Sequence, residues 1–187
     1  MSHPKSPTMN LHDLLLELKA EFPKFRLMPK SASTFMGVVY VLLCIITFGG
    51  ARGSFMSKFV TTIGNTIFVP DGWGTWPEEE KVTILRHERV HLRQAKRYGH
   101  ILFSFLYLFF PLPLGLAYFR AKFEKEAYEE SMRSDAETYG LTVFNEKYKA
   151  FITSQFTSSM YGWMWPFKSG IDAWYDAAVK RVTKEMK

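Results

Sequence analysis

A single cysteine, Cys44, in 187 residues leaves no pair for a disulfide and no set of thiolates for a metal cluster. Cys44 lies in an apolar run and reads as a small core residue. No N-terminal signal peptide is expected, since the first thirty residues are polar and charged with no apolar central region. No internal repeat and no low-complexity tract is present. Long uninterrupted apolar runs are scarce. Residues 35–48 are uncharged but span only fourteen positions, fewer than a bilayer crossing needs. Residues 101–119 are uncharged for nineteen positions, but Pro111 and Pro113 divide them into two short helices turning at Pro-Leu-Pro. These features describe a cytoplasmic or membrane-associated chain, with peripheral membrane or protein-assembly contact through its apolar segments.

What is present is a chain long enough for one domain with a substantial core. It is 47% hydrophobic and 17% aromatic, which excludes global disorder. The net charge is +6 and the pI near 9.3, but the basic residues are dispersed. The modest cluster Lys180, Arg181, Lys184 and Lys187 reads as a solvated helix end rather than a nucleic-acid contact.

The most informative stretch is His87-Glu88-Arg89-Val90-His91. It fits H-E-x-x-H, the pattern of a helical zinc site. Four residues advance a helix by little more than one turn, so His87 and His91 share a face and can grip one tetrahedral Zn²⁺. Glu88 then stands beside the pair as a candidate general base for water. The pattern requires a helix, and the flanks predict one. Thr75, Pro77 and Glu78 read as a capping box, with Thr75 as N-cap. Glu78, Glu79 and Glu80 complement the start of the helix dipole, Arg93, Lys96 and Arg97 its end, and Gly99 stops the helix.

Around this helix, apolar periodicity predicts an amphipathic helix over residues 10–22, through Leu11, Leu14, Leu15, Leu18 and Phe22. Pro23 and Pro29 bracket a connector. Residues 35–48 fit a strand by composition and a helix by length. Residues 59–70, rich in β-branched side chains, predict strand, and the break at Gly64-Asn65 reads as a β-hairpin turn or a bulge. That hairpin serves either as a plain structural element or as a free edge for an extended peptide. One long helix is predicted over 114–139, with Ala117, Ala121, Glu124, Tyr128, Ser131 and Asp135 on one small, polar face. Two more follow over 145–156 and 169–182. The aromatic stretch 161–167 between them reads as core closure, or alternatively as a substrate-pocket wall. The fold class is α+β and mostly helical, a small edge β-hairpin packed beside the H-E-x-x-H helix and a second, Glu-bearing helix. The expected organisation is a single domain in three parts: an N-terminal amphipathic helix and hydrophobic element (1–58), a metal-binding core (59–140) and a C-terminal helical extension (141–187).

A catalytic zinc needs a third protein ligand. His3, His12 and His100 are poorly placed, which leaves carboxylates of the second helix. Here the chain resembles the gluzincin metallopeptidases, in which H-E-x-x-H is followed by a helix bearing a zinc-binding Glu. Phe123-Glu124-Lys125-Glu126-Ala127-Tyr128 looks like the E-x-x-A-D motif of peptidases related to the CAAX-processing proteases, and the chain's size is closer to the minigluzincins. The resemblance covers residues 59–140 and implies Glu124 as third ligand, with Glu126 as the alternative register. It departs at the family's Asp, which orients a zinc histidine and is Tyr128 here. Either the Tyr128 phenol takes that role, or Asp135, Glu129 or Glu130 does. The implied activity is peptide-bond hydrolysis on a peptide or protein substrate, with zinc held by His87, His91 and Glu124 and with Glu88 as general base. Tyr161, Tyr139, Tyr128 and Arg133 are the candidate oxyanion donors. Two other readings compete: a non-catalytic zinc-binding or accessory protein of a larger assembly, and a nucleic-acid-associated metalloprotease.

Overall fold

A computed structural model describes residues 9–46, 55–108, 117–158, 164–165 and 167–187. Among these the architecture is mostly helical with one small sheet, as the α+β expectation has it. The chain begins with α1 (Leu11–Glu21), capped by Asn10, whose side chain accepts from the Asp13 amide. Strand β1 (Arg26–Pro29) follows, then a 3-10 turn (Lys30–Ala32) and α2 (Thr34–Ile46). The hydrophobic element of uncertain type is therefore a helix, and Cys44 is half-buried on it.

Strands β2 (Thr61–Ile63) and β3 (Thr66–Val69) form the predicted hairpin, with Gly64 at φ +61° supplying the turn. β1 adds in parallel to the far side of β3, giving the order β1-β3-β2, so β2 is an edge strand. β1 went unforeseen: four residues beside two prolines carry no periodic signal of their own.

The metal-motif helix is α3 (Glu78–Tyr98). It begins differently from the capping-box expectation. Thr75 lies in a 3-10 turn (Asp71–Thr75) and donates its hydroxyl to the Gly72 carbonyl, while Pro77 occupies the cap position. Glu78 instead accepts from the Leu11 amide, closing an orphan donor at the start of α1. Its C-terminal stop is as expected, Gly99 at φ +81°. α4 (His100–Leu108) follows at once, and α5 spans Tyr118–Tyr139, beginning later than the expected 114; residues 114–116 lie outside the described residues. The two remaining helices, α6 (Glu146–Thr157, capped by Asn145) and α7 (Lys168–Glu185), match their predicted spans closely.

α3 and α5 pack together along their lengths, and the apolar cores lie around this pair. On one side Leu14 and Leu18 of α1, Ile67 and Val69 of β3, and Leu85 and Leu92 of α3 are buried together. On the other, α5 meets α6 and α7 through Met132, Phe156, Ile171 and Val182. A third cluster (Ala95, Phe103, Phe123) joins α3, α4 and α5 at one end of the pair. Met164 is buried in the second core and accepts from the Ala117 amide, while residues 161–163 and 166 of the aromatic stretch lie outside the described residues.

Ion pairs fix the register of α3 against its neighbours. Arg86 donates to Glu130 at 2.7 Å and Glu137 at 2.5 Å of α5. Arg89 and Arg93 reach Glu21 of α1 at 2.7 and 2.6 Å, and Arg89 also reaches Glu17. Thr83 bonds Ser134 and Asp135, and Asp135 also accepts from Tyr148 of α6.

Candidate metal centre

Helical spacing places His87 and His91 one turn apart on the side of α3 that faces α5. Small side chains are buried on α5, and one of them, Ser131, meets His87 of α3 directly. Glu124 projects from α5 into the gap and is only 5% exposed. The three side chains converge: ligand atoms of His87, His91 and Glu124 all lie within 4.8 Å of one another. The two Nε2 atoms are 3.2 Å apart, His87 Nε2 is 3.4 Å from Glu124 Oε2, and His91 Nε2 is 3.6 Å from Oε1.

Those separations match a metal's requirement. Bonds of about 2.0–2.1 Å at the tetrahedral angle put donor atoms about 3.3 Å apart. The far sides of both rings are engaged, His87 Nδ1 with Ser131 Oγ at 3.1 Å and His91 Nδ1 with Gln94 Oε1 at 2.9 Å. Gln94 accepts through that oxygen, so His91 carries a proton on Nδ1, and Nε2 is the nitrogen that faces the gap. Gln94 is itself held by its amide nitrogen, which donates to the Phe123 carbonyl and Glu126 Oε2. A donor set of two imidazoles and one carboxylate with supported rings can hold a metal ion.

The site's electrostatics point the same way. Burial alone would push the Glu124 carboxyl up, but the charges of His91 and His87, a hydrogen bond from His87 and the more distant Arg120 hold it well below the usual carboxylate range. Burial alone would lower His87, but Glu124 and Glu88 raise it above an ordinary imidazole. A carboxylate that stays ionised in a buried gap is available as a metal ligand.

Glu88 is buried on the neighbouring side of α3, outside the ligand group, and its Oε2 accepts from the Thr62 hydroxyl of edge strand β2 at 2.6 Å. Glu126 is exposed and bonded to Gln94, so in this register it is Glu124 that faces the histidines. Tyr128 packs edge-on against the His87 ring, with centroids 4.8 Å apart, and its hydroxyl turns to Gln155. Asp135, Glu129 and Glu130 are committed elsewhere, to Thr83 and Tyr148, to Arg133 and Arg181, and to Arg86. The candidate oxyanion donors mostly lie elsewhere too: Tyr139 is exposed, Arg133 pairs with Glu129 and Glu185, and Tyr161 falls outside the described residues.

The phenol that does reach the group is Tyr107 of α4, which donates to Glu124 Oε1 and lies edge-on to His91 with centroids 5.6 Å apart. Burial and the Glu124 charge push its pKa well above the ordinary tyrosine value, so it stays a donor. Sequence reasoning missed Tyr107 because it lies in an apolar run that reads as packing. It missed Gln94 as well, although a Gln three residues after a ligand His on a helix is within reach of that ring. No family model, no curated protein and no solved structure matches the chain.

Proposed function

We propose that the chain is a zinc-dependent peptidase of gluzincin type, with His87, His91 and Glu124 as zinc ligands and Glu88 as general base. One observation carries the reading: two imidazole nitrogens and a carboxylate converge at tetrahedral-edge spacing, with Glu88 beside them but outside the set. When bound, zinc in such a set polarises a scissile carbonyl and lowers the pKa of water. Glu88 accepts a proton from the attacking water and returns it to the leaving amine. The Thr62 hydroxyl holds the Glu88 carboxylate in one orientation. An extended substrate can pair with the free edge of β2, which carries its scissile bond past Glu88. The Tyr107 phenol, which donates to Glu124 in the resting site, serves the developing oxyanion by turning its one O–H from that carboxylate.

The test combines metal content with one substitution. Protein purified without chelator should hold about one zinc per chain. Glu88→Gln should keep that zinc and lose turnover of a peptide substrate by about 10³-fold. Undiminished activity in Glu88→Gln, or no zinc uptake by the wild type, would refute the mechanism.

A non-catalytic zinc site in an accessory protein is the second reading, favoured by Tyr107, whose hydroxyl occupies the same Glu124 carboxylate that a ligand role requires. X-ray absorption on the zinc protein separates the two readings. Three protein donors plus water support the peptidase, four protein donors the structural site.

A further inference from the structure

Two helices leave large apolar side chains in solvent. On α2, Phe35, Val38 and Val41 are each more than half exposed, while Met36 on the opposite side is fully buried. On α4, Ile101 is 89% exposed and Leu102 and Phe105 about half, while Phe103 faces inward. Each helix leads into further uncharged sequence, through residue 51 after α2 and through residue 119 after α4.

The charge around them is one-sided. Residues 22–70 and 89–123, the stretches that carry α2 and α4, hold eleven Lys and Arg and no Asp or Glu; of these Lys30 is buried and Arg89 and Arg93 are paired with Glu17 and Glu21 of α1, which leaves the others to set the local charge. Lys58, Lys96, Arg97 and Lys122 lie at the borders of the apolar segments and are exposed. Exposed apolar side chains on helices flanked in sequence by exposed Lys58, Lys96, Arg97 and Lys122 suit one kind of surface, a bilayer interface containing anionic lipid. A nucleic acid would leave the apolar faces in water, and an acidic protein groove would have to match two separate helices. No helix among the described residues is long and apolar enough to cross a membrane, so contact would be interfacial.

We infer that the outer faces of α2 and α4 dock the protein onto anionic lipid bilayers. α4 faces both ways: its inner side places Phe103 and Tyr107 against His91 and Glu124. If the peptidase reading above holds, the substrate class that follows is polypeptide presented at a membrane surface. Docking itself does not depend on that reading.

The experiment is flotation of the purified full chain with vesicles of phosphatidylcholine alone or mixed with phosphatidylglycerol, at low and moderate salt. Wild type should float with the mixed vesicles, and binding should fall about tenfold on neutral vesicles and weaken with salt. Ile101→Glu with Phe105→Glu, and separately Phe35→Glu with Val38→Glu, should each reduce flotation about tenfold while thermal unfolding and zinc content stay unchanged. Where a glutamate pair unfolds the chain, the corresponding serine pair carries the same test. The proposal fails if the wild type does not float with anionic vesicles, or if either pair floats as well as the wild type. It also fails if the chain is a dimer that ignores vesicles, which would assign these faces to a second copy. Vesicle binding with no zinc, or zinc with no vesicle binding, separates the failure of one proposal from failure of the other.

Discussion

Lys30 has no solvent exposure, although lysine carries a charge that water holds strongly. Its ammonium donates to the Phe55 carbonyl at 2.5 Å and lies over the Phe55 ring at 3.8 Å. Burial lowers its pKa to about 8, and attraction to Glu88 only partly offsets the fall. Below pH 8 both folded and unfolded chains hold the proton, and the cost of burying the charge is felt in full. Between pH 8 and 10.5 the folded chain gives up the proton first, so stability should rise with pH, by about 3 kcal/mol in total. Lys30→Met should stabilise the protein at pH 7 by about 1–3 kcal/mol and flatten that rise. Denaturant unfolding of both proteins at pH 7 and pH 10 checks this, and a Met variant less stable at pH 7 would show that the ammonium's contacts outweigh its desolvation. At the metal centre, Glu124→Ala should abolish stoichiometric zinc, whereas Glu126→Ala should retain it, with affinity lowered only as far as Gln94 loosens. Gln94→Ala and Ser131→Ala should each weaken zinc about 10–100-fold in a competition titration, because they free a ligand ring to rotate. Equal zinc binding by Gln94→Ala and wild type would mean that packing alone orients His91.

At the scale of elements, helices with a strong period were legible in the sequence. α1, α6 and α7 carry apolar side chains at i, i+3 and i+4, and Asn10 and Asn145 cap where their chemistry directs. The strand type of β2 and β3 followed from β-branched residues around Gly64-Asn65. β1 was hidden because its parallel pairing to β3 is a long-range choice that four residues cannot announce. Thr75 misled for a related reason: a capping box is a local pattern, but Glu78 is drawn to the Leu11 amide of α1, a partner distant in sequence. The convergence of His87 and His91 was readable because helix geometry puts residues four apart on one face. Their supports were not, since Ser131 and Tyr107 reach the rings only through the packing of α4 and α5. That packing depends on Arg86, which is mostly buried and clamps α3 to Glu130 and Glu137. Arg86→Ala should destabilise the fold by about 1–3 kcal/mol, less than a fully buried pair because Glu137 is partly solvated. Chemical denaturation reads the loss; a change under about 0.5 kcal/mol would mean that apolar contacts alone set the α3–α5 register.

Across the whole molecule, a metal held by His87, His91 and Glu124 would cross-link the two longest helices among the described residues, each of which borders a different core. An ion that binds the folded chain and not the unfolded one stabilises it by mass action, about 4 kcal/mol when present at a thousand times its Kd. For a chain of this size that corresponds to a Tm shift of about 8–16 °C, lost on adding a strong chelator. The apo protein should nevertheless stay folded, because the apolar cores on either side and the Arg86 ion pairs still hold α3 against α5. Glu124→Ala removes the ligand, so its Tm should be low and insensitive to chelator. Calorimetry of wild type and Glu124→Ala, each with zinc and with chelator, gives four values that separate a metal clamp from a purely packed helix pair. A wild-type Tm unmoved by zinc would mean that the metal adds nothing to the hold of those cores on α3 and α5. Hydrogen exchange then locates the effect: on chelation, amides of α3 around His91 and of α5 around Glu124 should lose protection first, while α6 and α7, which the site does not touch, should keep theirs.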